Sequence, residues 1–407
     1  MINTKSLRIF ASLLLLISSF AYSQNTGIIV GQDTSQRVIT TAVPFLSITP
    51  DSRSGGMGDV GVAISPDANS VHWNPSKLAF IDSKMGFSLS YSPWLAKIIN
   101  DMSLSYLSGY YKLSKEQTIA VSLRYFDLGE IFFTDDNNNP QGDFNPKEFA
   151  VDATYARMLS EDFSLGITLR YVNSNLTGQF SSSSIEAKPA STVAADVSAF
   201  YNKDINIGNL AFGANISNIG AKVTYSNENN KDFIPINLRL GSALKMDIDA
   251  YNTITFALDF NKLLVPSPPV YATDENGAII PDPNDPKKGL IERGKDPDRP
   301  LLSGMFGSFA DAPDGFSEEM AEIMISVGAE YWYNDLFAAR VGYFYENKNK
   351  GNRQFFTMGV GFKYNVFGFD FAYLVPPQQE HPLAETLRFT LHFNFDDDAV
   401  VSNSVTD

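Results

Sequence analysis

Cysteine is absent from the 407 residues, tryptophan and histidine occur three times each, and charged residues make up only 19%. Without thiols there is no disulfide scaffold, no thiolate metal centre and no cysteine to carry a lipid. Basic residues are also short: Lys+Arg 31 against Asp+Glu 46 leaves a net charge of −15. That balance argues against a whole-chain nucleic-acid binder, because phosphate neutralisation needs a basic face. Long apolar runs are missing too. Beyond the first two dozen residues nothing approaches the ~20 uninterrupted apolar residues of a spanning helix. What is plentiful is apolar and aromatic: 44% of residues are hydrophobic, with Phe 31 and Tyr 18, which excludes a disordered chain. A mean hydropathy of −0.11 suits a soluble protein and a membrane barrel alike, since alternating strands average to a middling value.

Lys5 and Arg8 precede an apolar run from Ile9 to Ile17, and then come Ser18, Ser19, Ala21 and Ser23. A positive n-region, a short apolar run and a small-residue site are expected to be a secretory signal over residues 1–23. A buried N-terminal helix is the alternative. An exported product is then either soluble or a membrane barrel.

From about residue 84 the dominant period is two. Met85, Phe87, Leu89 and Tyr91 alternate with Gly86, Ser88 and Ser90, and Phe163, Leu165, Ile167, Leu169 and Tyr171 alternate with Ser164, Gly166, Thr168 and Arg170. Near the end, Leu387, Phe389, Leu391, Phe393 and Phe395 do the same. Such alternation builds strands with one apolar face. About fourteen segments are expected, near 84–91, 102–111, 117–127, 148–158, 162–173, 191–202, 208–218, 234–246, 251–262, 320–333, 336–346, 354–364, 366–375 and 385–395. Links after even-numbered segments are short, whereas 128–147, 174–190, 219–233 and 263–319 follow odd ones. Segregation of loop length by parity marks an outer-membrane barrel with short periplasmic turns and long outer loops. A secreted β-sandwich or a two-domain β protein, the competing fold readings, has no reason for it. The polar faces carry Arg124, Asp152, Arg170, Asp196, Arg239, Asp259, Glu330, Arg340, Lys363, Asp370 and Arg388. Facing lipid each would cost about 2–4 kcal/mol at mid-depth, so they are expected in the lumen, paired with one another. The expected organisation is all-β: a signal over 1–23, an N-terminal hatch over 24–83, the barrel over 84–395, and an acidic tail over 396–407.

Residues 24–83 do not alternate. Gly56, Gly58 and Gly61 match G-x-G-x-x-G, yet no buried strand precedes them and no parallel βαβ pattern follows, so a dinucleotide fold is excluded. Glycines here let backbone approach closely inside a narrow lumen. The run from Ser54 to Pro75, with Met57-Gly58-Asp59, Asp67-Ala68-Asn69 and Trp73-Asn74-Pro75, resembles the N-terminal signature of the FadL-like outer-membrane proteins. In wording it is more similar to their PorV (LptO) branch in Bacteroidota, whose members often carry Tyr or Phe where His72 stands. The resemblance implies a 14-stranded barrel with a hatch formed around Gly56, Gly58, Asp59, Gly61, Asp67, Trp73, Asn74 and Pro75. It also implies a non-enzymatic component of the type IX secretion system, with its N-terminus periplasmic and its long loops extracellular. Expected partners are the giant translocon barrel, cargo proteins bound through their C-terminal signal domains, the surface attachment complex, and outer-membrane lipid or lipopolysaccharide. No cofactor and no metal is implied.

Two competing functions follow from the same resemblance: a transporter of hydrophobic small molecules, as in the wider class, and a lipid-A-modifying enzyme. For the enzyme only His72, His381 and His392 offer imidazoles, and no G-x-S-x-G occurs. Thr134–Pro140 fails as a calcium loop, because Pro140 stands where Gly is needed. In the loop 263–319 eight prolines between Pro266 and Pro300, among Asp and Gly, argue against regular structure in its first part. Its second part is apolar, and Leu301, Leu302, Met305, Phe306 and Phe309 either fold back over the barrel mouth or dock a partner. Ser317–Met320 reads as a short helix start or as the beginning of a strand.

Overall fold

The structure is a computed structural model that describes residues 37–95, 101–134, 140–176, 181–182, 185–186, 188–226, 231–275, 277–377 and 386–396. The expected signal, residues 24–36, the tail beyond Asp396, His381 and most of the 134–140 loop lie outside the described residues.

Fourteen antiparallel strands close into one barrel. In chain order they are β1 (Met85–Pro93), β2 (Ser103–Lys112), β3 (Gln117–Asp127), β4 (Lys147–Ser160), β5 (Phe163–Asn175), β6 (Ala190–Ile205) and β7 (Gly208–Gly220). They continue as β8 (Asn237–Asp247), β9 (Asn252–Leu263), β10 (Met324–Tyr333), β11 (Phe337–Tyr345), β12 (Gln354–Tyr364), β13 (Phe367–Val375) and β14 (Leu387–Phe395). Each strand pairs with its sequence neighbour, and β14 closes on β1 with Met85 opposite Phe395 and Tyr91 opposite Phe389. Among the described residues no helix is long and apolar enough to cross a membrane. The barrel crosses with strands instead, because a closed sheet leaves no backbone donor or acceptor unpaired in lipid.

The alternation sorts side chains as its period requires. On β1 the odd positions Met85, Phe87, Leu89 and Tyr91 are exposed, while Gly86, Ser88, Ser90 and Ser92 are buried. On β5, Leu165, Ile167, Leu169 and Tyr171 face outward and Ser164, Thr168 and Arg170 inward. A water-soluble protein that exposed such rows all round would forgo about 25 cal/mol per Å² of apolar surface; in a bilayer the same rows meet their own kind.

Inward-facing residues are buried because residues 42–81 lie against them. This segment contains short helical turns at Pro44–Ser47, Ser52–Gly55, Ser70–Trp73 and Pro75–Phe80. At the long-loop end Val43, Phe45 and Leu46 join an apolar cluster with Phe126, Val172, Ile234 and Leu264. At the other end Ala68, Val71, Leu78 and Ala79 cluster with Tyr110, Ala120 and Ala156.

Two expectations need correction. The loop 263–319 does contain regular structure in its first part: Val270–Tyr271 pairs with Ile291–Arg293, and Pro281–Asp282 pairs with Asp285–Gly289. Proline is tolerated because a two-stranded ribbon consists only of edges, where a missing N–H breaks no interior ladder. The tenth strand begins at Met324 and not near 320, since Gly315 at φ 68° turns the chain into a helix over Phe316–Ala321 first. That left-handed position suits glycine, which has no Cβ to clash.

Candidate functional site

Asp51 organises the N-terminal segment. Its Oδ2 accepts from the Ser54 amide at 2.9 Å, capping the turn Ser52–Gly55, and its Oδ1 accepts from the Trp73 indole at 2.7 Å. The indole lies so close over Gly61 that a Cβ there would fall 2.1 Å from the ring. Gly61 and Val62 donate their amides to Asp259 of β9, and Gly58 donates its own to Thr357 of β12 at 2.7 Å. Amides that a phosphate would need are therefore spent on the barrel wall, the physical reason the G-x-G-x-x-G match is a decoy. Asp59 accepts from Arg388 of β14 at 3.2 Å, and Asp67 accepts from Arg53 at 3.1 Å. Asn74 donates to the carbonyls of Val62 and Ala199, and Pro75 opens the turn that buries Ser76, Lys77 and Leu78. All eight N-terminal residues singled out in the sequence thus lie in this one knot against the wall.

The inward charges divide into two kinds. Arg170 spans Asp152 at 2.7 Å and Asp196 at 3.1 Å, and Arg340 spans Glu330 at 2.7 Å and Asp370 at 2.6 Å. Glu330 also accepts from Arg53 of the N-terminal segment at 2.8 Å. Arg124 and Arg239 depart from the expected charge pairing: they donate to the carbonyls of Leu46 and His72 at 2.6 and 2.9 Å. His72 itself lies between those two guanidiniums, so no nucleophile can use it. His392 pairs with Asp370 at 3.3 Å, a carboxylate already held by Arg340. Among the described residues no group of three or more His, Asp or Glu is placed to hold a metal ion. Beneath the segment a cavity of about 970 Å³ opens near the short turns, lined by Arg53, Asp67, Asp82, Lys245, Glu330, Asp370 and His392 among others.

The long-loop end carries a different arrangement. Residues Leu301–Gly307 form a helix whose Gly304 and Met305 are buried against Phe233, Pro266 and the apolar cluster below. Leu302, Phe306 and Phe309, at helical spacing on the other side, are 59%, 67% and 49% exposed. Fold-back and an outward apolar face coexist because one helix has two faces. Phe316 and Met320, four apart on the next helix, are 78% and 47% exposed. The sequence reading missed these two, although their i, i+4 spacing was a signal.

Beneath that helix lies a buried ionic clamp. Lys262 donates to Glu319 and Glu322, Lys350 donates to Glu318 and Glu322 at 2.6 and 2.9 Å, and Arg37 donates to Glu318 at 2.8 Å and to Asp314. Lys262 follows Phe256, Leu258 and Phe260 on the lipid-facing parity. A cation in an apolar row was the sequence signal for a covering acidic element. Burial alone would raise the Glu318 carboxyl, but the bonds from Arg37, Lys350 and the Asp314 amide overcome it and hold it at about 2. Its folded value lies below the ordinary 4.5, so its stabilising contribution is complete above that pH and is lost as the pH falls towards 2. Hydrogen exchange of residues 311–322 is therefore expected to be flat from neutral pH to about 5 once intrinsic rates are removed. Protection should fall below that, and Arg37→Ala should start the fall at higher pH.

A closed fourteen-stranded cylinder, apolar outside and charged within, is a membrane-spanning β-barrel. Residues 31–270 match the family described as "Type IX secretion system protein PorV", and the chain belongs to that family. Among solved structures the CymD monoaromatic hydrocarbon channel is similar at 13% identity, covering 85% of this chain and 98% of that one with a TM-score of 0.50. The Ralstonia pickettii toluene transporter TbuX matches at 11% identity over 85% and 98% of the two chains (TM-score 0.48). A Pseudomonas aeruginosa FadL homologue matches at 10% identity over 88% and 100% (TM-score 0.45). No curated protein matches.

Proposed function

We propose that this type IX secretion component binds the translocon barrel and receives cargo proteins through their C-terminal signal domains for delivery to the surface attachment machinery. The long-loop end is extracellular in this reading, and residues 42–81 act as a hatch. The observation that carries it is the outward apolar face of the clamped loop: Leu302, Phe306, Phe309, Phe316 and Met320 project from helices whose other sides are anchored. An apolar face on a rigid base is costly to leave in water and is what a protein partner would cover. A hydrocarbon channel such as CymD would need an apolar path, whereas the cavity here is lined by Arg53, Asp67, Glu330 and Asp370.

The test is affinity purification of the full chain from its native membrane in mild detergent. Wild type should bring down a very large outer-membrane barrel and secreted proteins sharing a C-terminal domain. Leu302→Asp with Phe306→Asp should lower that recovery about tenfold or more, since truncating one hot-spot residue costs about 2 kcal/mol. Heat-modifiable migration of the barrel should be unchanged. Equal recovery from the double variant would remove this face from the mechanism, and absence of both partner classes from wild type would return the transport reading.

A further inference from the structure

The cavity beneath the N-terminal segment holds unbalanced charge. Deep inside it Glu330, Asp370 and Asp67 meet only Arg53 and Arg340, three carboxylates against two guanidiniums. His392 beside Asp370 makes up the difference only when protonated. At the rim Asp82, Asp204, Asp247 and Asp335 outnumber Lys245 and Lys363, and among the described residues none of these six forms an ion pair. The turns around the mouth do not offset the excess. Outside the cavity Lys84, Lys112, Lys115, Arg157 and Lys203 stand against Glu116, Glu161, Asp162, Asp249 and Asp396, five of each sign.

The surroundings select among cations. Among the described residues no three acidic or imidazole groups are placed to hold a metal ion. Ile205 and Ile207 also line the mouth and are exposed, while Phe80 and Trp332 add aromatic rings to the wall. Apolar rim residues give a small amine nothing, whereas a peptide can cover them. At about 970 Å³ the cavity reaches the upper end of built ligand sites and leaves room for more than one side chain. A concave wall with an excess of one sign raises the local concentration of its counter-charge, and aromatic faces attract ammonium and guanidinium groups as well.

We propose that this cavity receives a basic, extended segment of a periplasmic protein, its Lys or Arg side chains meeting the unpaired carboxylates and its apolar residues covering Ile205 and Ile207. That the partner is periplasmic rests on the orientation proposed above, with the long loops extracellular; cargo capture plays no part. The rim carboxylates lie in water, so their attraction acts mainly on the rate of association and weakens with salt.

Fluorescence anisotropy of a dye-labelled tetra-arginine peptide with the full chain in uncharged detergent tests this, with tetra-glutamate as the second probe and spermine as competitor. Wild type should bind one tetra-arginine saturably, bind no tetra-glutamate, and release the peptide as salt is raised. Asp247→Asn with Asp335→Asn should weaken binding about fivefold or more, since two exposed charge pairs are lost. Asparagine suits the φ of 50° at position 335, so the turn should persist. Glu275→Gln with Glu292→Gln, which remove the same charge at the long-loop end, should leave the affinity unchanged. The site is overturned by a wild type that binds no tetra-arginine, by equal weakening in both double variants, or by full binding in a correctly migrating rim variant. Displacement by spermine at the peptide's own concentration overturns the protein partner in favour of a small amine. Partner capture at the long loops does not enter the readout, so this test and the secretion test fail independently.

Discussion

Replacing Glu330 with alanine is expected to destabilise the folded barrel by about 3–5 kcal/mol, the cost of removing one partner from a buried ionic pair. Glu330 is 2% exposed and joins two cations from different parts of the chain, Arg53 of the N-terminal segment and Arg340 of β11. Its loss leaves Arg340 with Asp370 alone and Arg53 with Asp67. Two guanidiniums desolvated by the barrel would then share too little negative charge, and the unpaired remainder is the expensive part. The adjoining cavity sets the scale: Arg53, Glu330 and Arg340 all border it, so water can enter and screen, and the lower half of the range applies. Substituting the triad together with Asp370 by leucine or methionine should cost far less than Glu330→Ala, because no buried charge is stranded. Urea unfolding in detergent micelles, read by the shift from fast to slow electrophoretic migration, measures the difference. A loss below 1 kcal/mol would mean that the triad is hydrated throughout.

The barrel was legible because each strand has only two faces and two solvents. Fourteen segments from Met85 to Phe395 declare themselves by alternation, and their ends miss by up to three residues, more only where another device intervenes, as Gly315 does before β10. The loop was harder. Nothing in the spacing of Pro281 and Pro286 announces an edge-only ribbon, and helix Leu301–Gly307 depends on apolar residues 42–46 and 233–236, distant in sequence, to bury one of its sides. The interior arginines show the same limit. Opposed charges on one face suggested pairing with one another, and Arg170 and Arg340 do pair; Arg124 and Arg239 find carbonyls of the N-terminal segment instead. A sequence displays side-chain charge but conceals which backbone oxygens will lack an amide, and buried carbonyls attract donors as firmly as carboxylates do. The knot around Gly56, Gly58 and Gly61 was readable as a need for close approach, whereas its landing site on Gly328, Gly342 and Gly359 was not.

That landing site carries the second large expectation: Gly342→Val should release the N-terminal segment while leaving the strands paired. Gly342 and Gly328 stand opposite each other on the inward faces of β11 and β10, and together they form a bare patch of wall. The Met57–Gly58 peptide lies directly on it. A Cβ at position 342 would fall 2.0 Å from the Met57 carbonyl carbon and 2.1 Å from the Gly58 nitrogen. Both are backbone atoms, so no side-chain rotation relieves the clash. Gly58 cannot swing aside cheaply either, since it already occupies φ 72° with its own Cβ position 2.5 Å from the Tyr343 nitrogen. The segment must therefore lift off the wall. Lifting breaks the bond from the Gly58 amide to Thr357, which neighbours Gly342 across the β11–β12 pair, and loosens Asp59 from Arg388. Overpacking costs about 1–3 kcal/mol, and every 1.4 kcal/mol changes the displaced population tenfold, so the rise is about fivefold to a hundredfold. Single-channel recording in a planar bilayer should show openings in Gly342→Val that are rare in wild type, and trypsin should cut at Arg53 in the folded variant. Gly109→Ala, whose new methyl group points outward without collision, is the matched control and should remain silent. If Gly342→Val is as quiet and as resistant to trypsin as wild type, the segment is not held by this contact. The segment would then be held by its other bonds to the wall, among them those to Glu330, Asp259, Arg124 and Arg239.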